Sequence, residues 1–116
     1  MLYWEKFWYD NGKGDVGGMI KDCQKHLTHV IFADSHTHTI PWRYNINPVN
    51  TTARVHGHLG YGKGDIDWKA CFDALREIKF AEKDDTIACV TLFGFPELFV
   101  QEASEFREII EKELCK

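Results

Sequence analysis

The chain has 116 residues, 44% of them hydrophobic and 14% aromatic, which suffices for one domain with a real core. Its formal net charge of -4 and the lack of a basic cluster among aromatic residues argue against nucleic acid as a partner. No apolar run approaches a membrane span, and the start lacks the pattern of a signal peptide. We therefore expect a cytoplasmic protein with no membrane partner.

The first third of the chain is predicted to form a strand, a helix and a second strand. Residues 2–9 are aromatic and strand-like, and residues 10–14 are typical of a turn. Asp15 can cap a helix whose apolar residues recur at helical spacing. Residues 27–33 are rich in β-branched and aromatic side chains, which predicts a buried strand that ends at Asp34.

The remainder is predicted as a long loop, a helix, a strand and a last helix. Residues 35–65 show no periodicity, and a connection of this length is usually functional when it is ordered. Residues 68–78 carry an apolar helical stripe, with Asp67 as its N-cap. Residues 86–93 predict a second buried strand, and residues 99–114 a final helix.

This alternation of strands and helices predicts an α/β fold with a parallel sheet of about three βα units. Ligands bind such sheets where strands end and helices begin. The residues typical of binding sites lie at those ends of the predicted strands, and the opposite ends carry nothing comparable. Residues 1–116 are thus interpreted as a single domain with a site at one edge of its sheet.

The four cysteines lie at positions 23, 71, 89 and 115, without a Cys-x-x-Cys motif. Their placement in helix-like and strand-like segments predicts reduced, mostly buried thiols. Cys89, inside a predicted buried strand, is expected in the core rather than as a nucleophile.

Histidines are the strongest site candidates. His56 and His58 stand at positions i and i+2 of an extended segment, a spacing at which both side chains point the same way and can chelate a metal or move a proton. The alternative is that one packs and the other hydrogen-bonds within the loop. His36 and His38 repeat the spacing after Asp34, and these three could form a metal site or a solvated loop.

Cations and one carboxylate complete the candidate site. Arg43, beside Trp42, and Arg54 could clamp a phosphate or carboxylate, although a loop arginine often forms a structural ion pair. Lys63, between glycines, could bind an anion or lie solvated in a turn. Glu97 is a candidate general base, with a first-turn glutamate favoured by the helix dipole as the alternative.

From about residue 15 onward the chain resembles the last part of a sugar phosphate isomerase/epimerase of the xylose-isomerase-like TIM-barrel superfamily. The motif Gly-x-Gly-Asp-Ile-Asp-Trp at 62–68 is fairly specific for that superfamily. Within it, the chain is most similar to IolH-like proteins of myo-inositol catabolism. The resembling segments are residues 27–34, 42–44, 47–48, 54–58, 58–68, 70–78 and 95–97.

The resemblance implies a partial (β/α)8 barrel, a sugar or polyol substrate, and isomerisation or epimerisation by metal-assisted proton abstraction. The implied cofactor is a divalent metal, such as Mn, Mg, Co or Zn. The chain departs from the superfamily at Ile31, where a metal-binding histidine is common, and in residues 86–93, which lack the usual glutamate.

A complete barrel takes about 250 residues, so this resemblance describes a truncated barrel. Three βα units leave open edges, which predicts a homo-oligomer or a complementary barrel fragment as partner. Two hypotheses follow: an isomerase/epimerase-like enzyme, or a non-catalytic truncated barrel domain that self-associates or binds a partner.

Overall fold

A computed structural model describes residues 15–38, 53–64, 66–92 and 96–115, of which 35–38, 53–58, 96 and 97 are described by their backbone. The described part is an α/β fold with three helices, two short two-stranded sheets and one 3-10 turn. None of the helices in these ranges is long and apolar enough to cross a bilayer. The predicted strand at 2–9 lies outside the described residues.

The helices begin where their capping residues predict. Helix α1 spans Val16–Cys23, and the Asp15 carboxylate accepts a hydrogen bond of 2.8 Å from the Gly18 backbone N–H. Helix α2 spans Trp68–Glu77, and the Asp67 carboxylate accepts one of 2.9 Å from Ala70. Each cap satisfies a backbone donor that the first helical turn leaves without an intrahelical partner.

Helix α3 spans Pro96–Leu114, and its start follows from the proline. Proline lacks the backbone N–H that the first helical position leaves unused, and its fixed φ suits that position. At the other end of α2, Lys79 takes a φ of 56° and turns the chain into the 3-10 turn Phe80–Glu82.

The predicted parallel pairing of two strands is confirmed. Strand β1, His29–Phe32, pairs in parallel with β4, Ile87–Val90, with His29 opposite Ile87 and Phe32 opposite Val90. Thr28 accepts a backbone hydrogen bond of 2.8 Å from Ile87. Both strands are shorter than the apolar runs at 27–33 and 86–93 that predicted them. The ladder between them extends only from the pair His29 and Ile87 to the pair Phe32 and Val90.

The prediction of one structureless loop over residues 35–65 was wrong. The chain forms strand β2, Asp34–His38, and strand β3, Ala53–Leu59, which pair antiparallel. We call these two strands the histidine ribbon. Their pairing is fixed by backbone hydrogen bonds between segments distant in sequence, and such pairing leaves little trace in a sequence rich in polar residues.

The helices pack on one face of the parallel sheet. The core joins Ile20 of α1, Leu75 of α2 and Phe106 of α3 to Phe32 of β1, and Leu75 and Phe106 are completely buried. Alternation along the strands turns the neighbouring positions to the other face. On that face Ile31 is 67% exposed and Ile87 is 49% exposed.

The prediction that both strands are buried was therefore wrong for one face of the sheet. Cys89 belongs to that face and is exposed, so its expected place in the core was also wrong. An apolar run indicates that a strand can be buried, but it does not indicate whether other elements cover both of its faces.

The four thiols are free and differ strongly in exposure. Cys71 is buried between helices, Cys23 is half-buried, and Cys89 and Cys115 are exposed. Burial raises the pKa of the Cys71 thiol to about 12. The prediction of mostly buried thiols thus holds for Cys71 and fails for Cys89 and Cys115.

We expect the thiols to react in the order of their exposure. At about pH 8, Ellman's reagent should label Cys89 and Cys115 rapidly and Cys71 slowly, because only an accessible thiolate attacks. In denaturant all four should react alike. Since the folded pKa of Cys71 is raised, the free energy of unfolding should also fall as the pH rises from 9.0 toward 12.

Mass spectrometry of the labelled sites measures this order, and a Cys71→Ala variant identifies the slow phase. Equal labelling rates for Cys71 and Cys115 in the native protein would contradict the packing of α2.

Candidate functional site

The base of the histidine ribbon lies at the carboxyl edge of the parallel sheet. Strand β1 ends at Phe32 and the histidine ribbon begins at Asp34, so the ribbon rises from the carboxyl end of β1. The second strand of the ribbon, β3, ends at Leu59, which pairs with Asp34 at the start of β2. Strand β4 ends beside the same place, since the Thr91 N–H donates a hydrogen bond of 3.1 Å to the Phe32 carbonyl. This edge of the sheet is where parallel α/β folds bind ligands.

Asp34 fixes the base of the ribbon. Its carboxylate is 1% exposed and accepts hydrogen bonds of 2.9 Å from the Trp68 indole N–H and 3.2 Å from the Ile66 backbone N–H. A buried carboxylate is tolerated only when its oxygens have donors of this kind. Asp34 therefore ties the first residue of β2 to the start of α2.

Aromatic rings surround the indole of Trp68, which donates a hydrogen bond to Asp34. Trp68 packs edge-on against Phe106, with ring centroids 5.1 Å apart, and stacks with Phe32 and Phe72 at 6.2 and 5.9 Å. Tyr61 belongs to residues 60–64, which we call the glycine-rich loop, and its ring centroid lies 5.5 Å from that of Trp68 and 5.6 Å from that of Phe106. The loop is thus anchored to the core by a ring that sequence reasoning did not single out.

The glycine-rich loop makes a tight turn after the ribbon. The Lys63 N–H donates a hydrogen bond of 3.1 Å to the Gly60 carbonyl. Gly62 takes a φ of +73°, a conformation that side chains disfavour. Gly60 lies close to α3, since a Cβ at this position would come within 3.4 Å of the Glu102 carboxylate.

Lys63 forms an ion pair with Glu102 of α3. The lysine side chain is 54% exposed and the glutamate 19% exposed, so the pair lies at the boundary of the core. Lys63 was a candidate anion ligand, with a solvated turn lysine as the alternative. In the described structure its ammonium holds the loop against α3. The sequence signal for this contact is weak, because the two residues are 39 positions apart.

The four candidate histidines all lie in the histidine ribbon. His36 is paired with Val55 and His38 with Ala53. His56 and His58 lie on β3, where the register shifts between Asp34 and His36. The ribbon thereby brings two His-x-His segments, separated by 17 or more residues in sequence, onto adjacent strands.

The register of the ribbon also places position 54 relative to the histidines of β2. Arg54 is paired with Thr37, the position between the two histidines of β2. Opposed residues of an antiparallel ladder share a face, and successive residues alternate between faces. Position 54 therefore lies on the face of the ribbon opposite positions 36 and 38.

The other predicted site residues are placed less fully. Trp42 and Arg43 lie outside the described residues. Glu97 is the second residue of α3, at the carboxyl edge of the sheet. Tyr61 and Glu102 were not predicted as contact residues. Tyr61 lies in a loop where the glycines and histidines carried the prediction, and Glu102 lies outside the apolar stripe of α3.

The metal site predicted from Asp34, His36 and His38 stays a prediction, because the structure describes the two histidines by their backbone. Of Asp34, His36 and His38, the structure describes the side chain of Asp34, and both of its oxygens are engaged by Ile66 and Trp68. Among the side chains that the structure describes, no group of three or more His, Cys, Asp or Glu is placed to hold a metal ion.

Fold and site together define an α/β protein with a histidine-bearing antiparallel ribbon at the carboxyl edge of a parallel sheet. No protein-family model, no curated protein and no solved structure matches the chain.

We expect the hydrogen bond between Asp34 and Trp68 to be a large local contribution to stability. Trp68→Phe keeps an aromatic ring but removes the indole N–H, leaving a buried carboxylate oxygen without that donor. The free energy of unfolding should fall by about 1–3 kcal/mol. Urea unfolding followed by circular dichroism measures the change.

A double-mutant cycle with Asp34→Asn isolates the pair, because Asp34 also contacts Ile66. Asp85→Asn, an exposed acid far from the core, is the control. Additive effects of the two core substitutions would show that the indole and carboxylate are not coupled.

Proposed function

We propose that this chain is a sugar or polyol (phosphate) isomerase/epimerase-like protein, cytoplasmic and built on part of a (β/α)8 barrel. The observation that carries the proposal is the histidine ribbon at the carboxyl end of β1. It puts His56 and His58 at the edge of the sheet where α/β enzymes bind their substrates. The similarity of residues 58–68 to the xylose-isomerase-like superfamily supports a substrate of this class.

The proposed chemistry is the transfer of a proton on the carbon next to a carbonyl. Histidine suits this step because its ordinary pKa lies near neutral pH, so it can both accept and return a proton. His56 and His58 would move the proton. Glu97, in the first turn of α3, is the alternative base.

Binding would involve the predicted cationic residues. Arg43 and Trp42 would contact a phosphate or the sugar ring, and Arg54 stands on the ribbon itself. Lys63 would contribute only by exchanging its partner Glu102 for a substrate anion. The role of the glycine-rich loop is then to position the ribbon rather than to hold the phosphate.

Proton exchange with solvent tests the activity directly. We expect the purified chain in D₂O to replace the α-hydrogen of a ketose phosphate, a free ketose or a cyclic polyol ketone, as followed by NMR. Parallel samples contain Mn²⁺, Mg²⁺, Co²⁺, Zn²⁺ or a chelator. His56→Asn or His58→Asn should slow the exchange by about 100-fold or more, the usual contribution of a general base.

His26→Asn is the matched control, since His26 is exposed and lies before β1, at the opposite edge of the sheet. Circular dichroism must show that all variants stay folded. Exchange that survives both ribbon substitutions would exclude these histidines, and no exchange with any substrate would remove the enzyme proposal.

A specific observation favours a second candidate function, a non-catalytic truncated barrel domain that self-associates or binds a complementary fragment. In the part of the chain that the structure describes, helices cover one face of the parallel sheet, while Ile31 and Ile87 are exposed on the other. Parallel sheets normally have both faces covered. A barrel wall has this construction, with helices outside and the remaining face turned toward the other strands.

We expect self-association to raise the native mass above the 13.5 kDa of one chain. Light scattering across a range of protein concentrations measures it. A mass of one chain at every concentration would exclude self-association, and would leave a complementary fragment as the partner to test by co-expression.

A further inference from the structure

The outer edge of β4 is open in the part of the chain that the structure describes. Strand β4 pairs with β1 on one side, and Ile87, Ala88 and Cys89 are exposed. The edge of a sheet presents backbone N–H and C=O groups that another strand can pair with. This edge is therefore a surface at which the sheet can be extended.

A groove of about 360 Å³ lies beside this edge, between β4 and α3. Its lining is largely apolar, with Ala88 and Val90 from the strand and Ala103 and Ile110 from the helix. The groove thus offers apolar surface next to a strand edge that no described strand pairs with, the combination that strand addition uses.

Two charged residues stand on the helical side of the groove. Arg107 and Glu111 are exposed and form an ion pair of 2.7 Å along α3. An apolar centre with a charged, solvent-exposed rim is the usual composition of a protein interface.

The charges of this rim are complementary to those of the same rim on a second copy of the chain. If two copies place β4 beside β4 across a two-fold axis, the two strands run antiparallel, and so do the two α3 helices. With the axis passing beside α3 at the level between positions 107 and 111, Arg107 of each copy faces Glu111 of the other. Opposite charges then meet at both ends of the contact, which favours a second copy over an unrelated partner.

The size of the contact suits a reversible dimer. Helix α3 has 19 residues, which corresponds to a length of about 28 Å. A contact along one helix and a four-residue strand edge falls at the small end of specific interfaces, so association should depend on concentration.

We propose that the chain forms a symmetric dimer through the β4 edge and the side of α3 that carries Ala103, Arg107 and Glu111. The proposal rests on the second candidate function, self-association, and names its surface and its partner. It is independent of the isomerase activity.

Charge exchange tests the proposal by sedimentation equilibrium of the whole chain. Arg107→Glu and Glu111→Arg each place like charges across the two-fold axis, so each should raise the dimer dissociation constant by about tenfold or more. An equimolar mixture of the two variants should restore dimers, because one chain then carries two acids and the other two arginines.

The controls carry the same changes of charge on another side of α3. Lys112→Glu matches Arg107→Glu, and Glu108→Arg matches Glu111→Arg, at exposed positions that do not line the groove. Both controls should dimerise like the wild type. Circular dichroism checks that every variant keeps its helix content.

Failure of self-association and failure of the proposed surface give different results. A wild-type chain that stays monomeric overturns both this dimer and self-association. A wild-type dimer that is unaffected by the two exchanges, or that the mixture does not restore, overturns this surface while self-association stands.

Discussion

A buried carboxylate, Asp34, holds the two sheets and the second helix in one arrangement. It lies where the parallel strand β1 gives way to the histidine ribbon, and its oxygens accept hydrogen bonds from Trp68 and Ile66. Trp68 is in turn packed among aromatic rings of β1, α2 and α3. Because an unpartnered buried charge is strongly unfavourable, the ribbon can leave the sheet here only if α2 begins beside it.

The glycine-rich loop depends on the same cluster. Tyr61 packs against Trp68 and Phe106, and Lys63 pairs with Glu102 one turn of α3 away from Phe106. Two side chains of the loop are thus bound to rigid elements, which is how a scaffold positions residues that lie on loops. The proposed proton transfer by His56 and His58 would use this rigidity, since general acid–base catalysis depends on geometry before pKa.

The open surfaces of the sheet have a common origin. A sheet of two parallel strands with helices on one side leaves one face and its outer edges without cover in the described part of the chain. A longer barrel would cover these surfaces with further strands, and the proposed dimer would cover the β4 edge with a second copy. The proposed site lies at the carboxyl ends of the strands and the proposed dimer contact along the outer edge of β4, so one chain can have both.

The sequence by itself determined the elements that local physics controls. Asp15 and Asp67 cap their helices as predicted, Pro96 begins the last one, and the apolar runs at β1 and β4 pair in parallel. Capping, helical periodicity and β-branched runs all depend on residues that are close together in the chain, so a single sequence is enough to find them.

The tertiary structure decided what depends on distant residues. It paired β2 with β3 inside a segment predicted as loop and left Ile31 and Ile87 exposed on one face of the sheet. It also gave Asp34 and Lys63 protein partners more than 30 residues away. Neither hydrophobicity nor spacing encodes which of several possible partners a polar group meets. That choice follows from the packing of the whole chain, which sets the distances between its elements.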